Sequence, residues 1–158
     1  MRFHDTIWIR AVPEQVFAFF EAMDANYLRW HPDHRLFRWE QGQGLKEGVV
    51  FYFEEVIGGK LMKKRVEFTR IEANRHVEFT FANRILRLIL PRLLFHIEPE
   101  ANGARFTAEI HVRTGPIGAW LNRREFAAVR QHMREEGENL KRILEAQPHA
   151  MDSPARRG

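Results

Sequence analysis

Ile117-Gly-Ala-Trp-Leu-Asn-Arg-Arg-Glu-Phe-Ala-Ala-Val-Arg-Gln-His-Met-Arg-Glu-Glu-Gly-Glu-Asn-Leu-Lys-Arg-Ile-Leu-Glu145 is the stretch whose reading decides the fold. Trp120, Leu121, Phe126, Val129, Met133, Leu140, Ile143 and Leu144 recur in it at three, four or seven residues, the period of a helix with one apolar face. Gly115-Pro116 stands before it and stops the preceding structure. One helix over Ile117–Glu145 would be ~40 Å long at 1.5 Å per residue.

Working back from that helix, the chain reads mostly as strands. Residues 3–10 alternate loosely and form a first strand. Pro13 then opens a helix with Val16, Phe17, Phe19 and Phe20 on its buried side, and a second short helix covers Met23 to Arg29. It ends near Trp30-His31-Pro32, because proline disfavours helix in the residue before it. Strand signals follow at Leu36–Glu40, Gly48–Ile57, Lys60–Ile71, His76–Phe81, Arg92–Glu98 and Arg105–Arg113. Gly58-Gly59, Ala73-Asn74 and Pro99–Gly103 are the turns between them. Ile85–Leu94, with Arg84, Arg87 and Arg92, reads equally as a flap over a cavity mouth or as a buried strand with basic ends. Residues 147–158 lack periodicity and are expected to be a flexible tail on a single domain of residues 1–146.

The expected fold class is α+β: a curved antiparallel sheet of about seven strands gripping one long C-terminal helix, with two short helices after the first strand. One helix cannot fill the concave face of such a sheet, so a cavity beneath it follows. The layout resembles the START-like (SRPBCC) superfamily, which includes birch-pollen allergens of the Bet v 1 type and polyketide cyclases. The resemblance covers residues 1–145 and includes the segment Ile9-Arg10-Ala11-Val12-Pro13-Glu14-Gln15-Val16-Phe17.

Composition narrows the function. The chain has 158 residues, 44% of them hydrophobic and 29% charged, in the range of a globular protein. It has no cysteine, which excludes disulfides, thiolate metal sites and cysteine nucleophiles, and suits a reducing cytoplasm, the expected location. The N-terminus lacks a secretory pattern, and Ile85–Phe95 is too short and too interrupted for a membrane span. The formal charge is +4, from 25 basic and 21 acidic residues. The basic residues are scattered along the chain, which argues against a nucleic-acid partner.

Three clusters carry the chemistry. His132-Met133-Arg134-Glu135-Glu136 puts His132 and Glu136 one helical turn apart, about 5–6 Å between Cβ atoms, where both can reach one metal ion. Trp30-His31-Pro32-Asp33-His34 supplies two imidazoles and a carboxylate in a turn. In Glu54-Glu55 the two carboxylates point to opposite sheet faces. If Phe51 and Phe53 face the cavity, Glu55 does too, and there it needs a partner, a proton or a metal. Glu54 is expected to pair with Lys60, Lys63 or Lys64 across the hairpin. Spacing alone does not choose between His31 and His34, or between Glu54 and Glu55. Of the large amphipathic aromatics, Tyr27, Trp30, Trp39, Tyr52 and Trp120, most are expected in the core.

The Trp30–His34 turn, Glu55-Val-Ile-Gly-Gly59 and His132–Glu136 with Asn139-Leu140 resemble the diacetylphloroglucinol and phloretin hydrolase family, which cuts a carbon–carbon bond in an acyl-phenol with a helix-grip zinc enzyme. The resemblance implies His34, Glu55, His132 and Glu136 as metal ligands. It implies zinc, although His and Glu also suit Fe, Mn, Co or Ni. His31, Asp33 and Glu135 are the candidates for proton transfer. This chain is much shorter than that family and lacks its long N-terminal region, so the metal set can carry over without the substrate. The readings to separate are therefore three. One is a metal-dependent hydrolase or lyase of aromatic or polyketide-like carbonyl compounds. Another is a metal-free carrier of an apolar ligand such as a lipid, quinone or polyketide. The last is an interaction module of the co-chaperone kind.

Overall fold

Alternating apolar residues require a sheet with one buried face, and in the computed structural model, which describes residues 1–147, that sheet has seven strands. They are β1 (Arg2–Ile9), β2 (His34–Gln41), β3 (Val50–Ile57), β4 (Lys60–Glu72), β5 (His76–Phe81), β6 (Arg92–Glu100) and β7 (Gly103–His111). All pairings are antiparallel, in the order β1-β7-β6-β5-β4-β3-β2. Gly58 and Gly59, at φ 58° and 79°, turn β3 into β4 through left-handed backbone that glycine adopts without strain.

Two short helices, α1 (Pro13–Glu21) and α2 (Met23–Trp30), close one end of the sheet. Val16, Phe17, Phe19 and Phe20 of α1 are buried among Phe51, Phe68, Phe79 and Phe106 from the strands. Each such side chain contributes about 1.5–3 kcal/mol by leaving water. The long helix α5 (Arg123–Ala146) crosses the concave face and buries His132, Met133, Gly137, Leu140 and Leu144. Gly137 permits its close approach to β1: a Cβ there would lie 3.1 Å from Asp5 Oδ2.

The helix is not continuous from Ile117. It breaks at Asn122, whose side-chain and main-chain N–H groups both donate to the Gly118 carbonyl (2.8 and 3.1 Å) and end a separate short helix, α4 (Pro116–Leu121). Asparagine competes for backbone partners in this way and favours helix ends. Ile117, Trp120 and Leu121 therefore lie exposed on α4 instead of extending the apolar stripe of α5. The Ile85–Leu94 segment is not a buried strand either. Asn83 Oδ1 accepts from the N–H groups of Ile85 and Leu86, an N-cap that starts helix α3 (Arg84–Ile89), and β6 begins only at Arg92. Strand β2 begins at His34, two residues before the expected Leu36, because a bulge after His34 shifts the register. Beyond Gln147 the expected tail lies outside the described residues. Among the described residues, no helix is long and apolar enough to cross a membrane.

The buried Trp30 ties α2 to the helix opposite, its indole N–H donating to the Glu136 carbonyl at 2.9 Å. It packs edge-on against Phe19, Phe20 and Phe95. Trp30→Phe is expected to lower stability by about 1 kcal/mol through the lost hydrogen bond, and Trp30→Ala by about 3–5 kcal/mol through the cavity left behind. Urea unfolding measures both, and an unchanged midpoint for Trp30→Ala would refute this role.

Candidate metal centre and ligand cavity

Strand register brings the first two groups together. His34 and Glu55 are direct partners across the β2–β3 ladder, and both are buried. The bulge at Arg35 matters here. It reverses the parity of β2, so His34 shares the inner face with Phe37 and Trp39, which a regular two-residue alternation would forbid. Helix α5 supplies His132 and Glu136 from above. One ligand atom from each of His34, Glu55, His132 and Glu136 lies within 4.8 Å of every other. His34 Nε2 is 2.9 Å from Glu136 Oε1 and 3.7 Å from Glu55 Oε2. His132 Nε2 is 3.2 Å from Glu55 Oε2 and 3.3 Å from Glu136 Oε1.

The groups behind these atoms aim them. The Tyr27 carbonyl can only accept, so His34 donates to it from Nδ1 (2.7 Å) and turns Nε2 towards the carboxylates. A backbone carbonyl on the far nitrogen is the usual support of a metal-binding imidazole. The Tyr27 ring also stacks on His34 at 3.9 Å. Lys64 Nζ donates to Glu55 Oε1 at 2.9 Å, leaving Oε2 for the histidines.

Burial opposes ionisation of Glu55, but the Lys64 ammonium and His132 override it and bring its pKa down to about 2. Glu136 is likewise driven up by burial and pulled below the ordinary carboxylate range by His132 and His34. Burial pulls His132 down, yet the carboxylates of Glu136 and Glu55 hold it at about 10. The donor set fits a divalent cation. Two imidazoles and two ionised carboxylates converge, and His132 Nε2 is buried without a hydrogen bond among the described residues, its carboxylate neighbours lying off-line. A buried nitrogen of that kind calls for a partner.

His31 lies behind this set. Its Nδ1 accepts from the Asp33 N–H (2.9 Å), so Nε2 carries the hydrogen and donates to Glu135 Oε2 at 2.7 Å. Its ring stands 4.3 Å from that of His132. His31, His132 and Glu135 form a second close group sharing His132. The Asp33 carboxylate points outwards, about half exposed, near Arg35. None of His31, Asp33 and Glu135 lines the cavity. Glu54 does not pair with a lysine: its carboxylate accepts from the Tyr52 hydroxyl at 2.6 Å, and Lys64 turns inwards to Glu55.

The cavity under α5 has a volume of about 250 Å³ and is lined largely by aromatic and aliphatic side chains, among them Phe37, Phe53, Phe79 and Phe95. Glu55, His132 and Glu136 stand on its wall, and so do Lys64 and Tyr27. Tyr27 and Lys64 are the groups that sequence reasoning underrated. Lys64 shares its strand parity with Val66 and Phe68, and that alternation was the available signal. Burial, then the charges of Glu55 and Glu136, raise the Tyr27 phenol and keep it protonated. Trp30 and Trp39 also line the cavity, whereas Trp120 is exposed.

A seven-stranded sheet gripping a helix over an apolar cavity defines a helix-grip ligand-binding protein. Residues 1–145 match the polyketide cyclase / dehydrase and lipid transport family, and the chain belongs to it. No curated protein matches the chain. Among solved structures it is similar to the KanY protein, at a TM-score of 0.73 and 15% identity over 92% of this chain and 97% of that one. It is similar to TTHA0849 from Thermus thermophilus, at 0.69 and 17% over 91% and 97%. Ara h 8.0201 gives 0.67 and 15% over 93% and 99%. At these identities the likeness shows the fold.

The charge cluster carries a pH signature in chelator-treated protein. The raised His132 pKa stabilises the fold fully below about 6.5, and that contribution fades as pH rises towards 10. The depressed Glu55 pKa stabilises above about 4.5 and fades as pH falls towards 2. Melting temperatures of wild type and His132→Gln are therefore expected to converge as pH rises from 6.5 to 10. A gap that widens over that range would contradict the assignment.

Proposed function

We propose that this protein is a metal-dependent hydrolase or lyase for an aromatic or polyketide-like carbonyl compound, with His34, Glu55, His132 and Glu136 as ligands of one divalent ion, zinc first among the candidates. The observation that carries the reading is the convergence of four ligand atoms within 4.8 Å, with Glu55, His132 and Glu136 on the wall of an apolar cavity. The resemblance of the same four positions to the diacetylphloroglucinol and phloretin hydrolase set supports it, as does membership of a polyketide cyclase family. When bound, the ion would supply Lewis-acid polarisation of a carbonyl oxygen.

The chain's own side chains do the rest. The aromatic walls hold a flat ligand and exclude water, which strengthens every polar contact inside. Lys64, between the rings of Phe53 and Phe81 at 5.7 and 5.8 Å, presents positive charge to an acidic oxygen such as a phenolate. Tyr27 offers a protonated hydroxyl, now 3.4 Å from the Glu54 carbonyl and weakly engaged, as a donor to the ligand. His31 and Glu135 lie behind His132 and orient it rather than touch a ligand.

A second reading has its own support: most of the lining is apolar, as in a carrier of a lipid, quinone or polyketide without a metal. Metal analysis separates the two. After incubation with zinc and dialysis, the wild-type chain is expected to retain about one ion, and X-ray absorption is expected to show N/O ligands at ~2.0–2.2 Å. His132→Ala and Glu136→Gln are each expected to weaken zinc binding by at least ~100-fold. Wild-type protein that retains no zinc, iron, manganese, cobalt or nickel would remove the enzyme reading and leave the carrier.

A further inference from the structure

Six large apolar side chains stand in water on two short helices: Ile85, Leu88 and Ile89 on α3, and Ile117, Trp120 and Leu121 on α4. Ile117 is 77% exposed and Leu88 65%, values at which solvation of such side chains is unfavourable. The two helices leave the sheet from one place. Helix α3 runs into β6 at Arg92, α4 follows β7 after His111, and Arg92 and His111 are ladder partners. The Arg113 N–H donates to the Ile89 carbonyl at 2.7 Å and ties the two connections together.

Charge is segregated there as well. Residues 82–92 and 112–124 hold six arginines and no aspartate or glutamate, in a chain with 21 acidic residues. Arg84, Arg87, Arg113, Arg123 and Arg124 are exposed and lie within a few residues of the apolar side chains along the chain. Arg123 lies over the Trp120 ring at 4.7 Å. Six of the 25 basic residues thus lie on two connections that meet at one place. The cavity reaches this end, where Leu90, directly after α3, and Glu125 and Phe126, in the first turn of α5, line it.

We infer that the α3–α4 face docks onto an anionic lipid bilayer and that the cavity exchanges its apolar ligand there. Aliphatic and indole side chains enter the interface between headgroups and acyl chains, and the arginines remain at headgroup level. Nucleic acid would match the charge and leave five exposed aliphatic side chains without a purpose. A bilayer matches both features, and it delivers an apolar ligand to the mouth without passage through water. The inference is independent of what the His–Glu set binds.

Co-sedimentation of the full chain with vesicles tests it. Binding is expected to phosphatidylcholine vesicles containing about 30 mole per cent phosphatidylglycerol and not to phosphatidylcholine alone, and to weaken as salt rises from about 0.05 to about 0.5 M. Each arginine near such a surface contributes roughly fivefold, so Arg84→Ala with Arg124→Ala is expected to lower affinity about 25-fold. Leu88→Glu with Trp120→Glu is expected to abolish binding with an unchanged melting temperature, because both side chains are exposed. Equal binding to the two vesicle types, or binding to neither, would overturn the inference. So would a dimer in solution that the two glutamate substitutions dissolve without any vesicle binding.

Discussion

Two carboxylates, Glu55 and Glu136, are held a few ångströms apart inside an apolar enclosure, and the arrangement around them answers their charge. Separately each would cost several kcal/mol to bury. Lys64, His34 and His132 reduce that cost by converging from three elements, and each depends on a different structural device. Lys64 depends on the alternation of β4, His34 on a bulge in β2, and His132 on the docking of α5. Gly137 and Trp30 hold α5 at the depth where its histidine and glutamate meet the strand carboxylate. A shift of α5 by one turn would leave one pair of opposite charges unmatched on either side.

The same constraint explains why the polar cluster lies at a wall of the cavity and not in its centre. The remaining lining consists mainly of phenylalanine, tryptophan and aliphatic side chains, which offer nothing to a charged group. Outside this cluster the carboxylate residues Glu109 and Glu125 also line the space. A ligand suited to this lining is largely flat and apolar and carries an oxygen-rich terminus. That polarity is shared by the enzyme and carrier readings; whether an ion sits among the four ligands distinguishes them.

Much of this was legible in the linear chain. The two-residue alternation of Phe51, Phe53 and Glu55 put these three on one sheet face, because side chains of a strand must alternate, and left open whether that face was the core. The i, i+4 spacing of His132 and Glu136 put both on one side of a helix for an equally local reason. The turns at Gly58-Gly59 and the proline at the start of α1 likewise follow from backbone sterics. What misled were residues whose effect depends on competition. Asn122 and Asn83 redirect backbone hydrogen bonds, and each converted an expected continuous element into a helix end.

The sequence by itself therefore determined the order of elements, the faces of the regular strands and the pairing of His132 with Glu136, all consequences of short-range geometry. Only the tertiary structure decided that His34 rather than His31 meets Glu55, that Lys64 turns inwards, and that the arginine-bearing connections after β5 and β7 meet. Those outcomes rest on strand register, on one bulged residue and on the pairing of β6 with β7, which sets Arg92 beside His111. They are relations between segments far apart along the chain, and no local spacing encodes them.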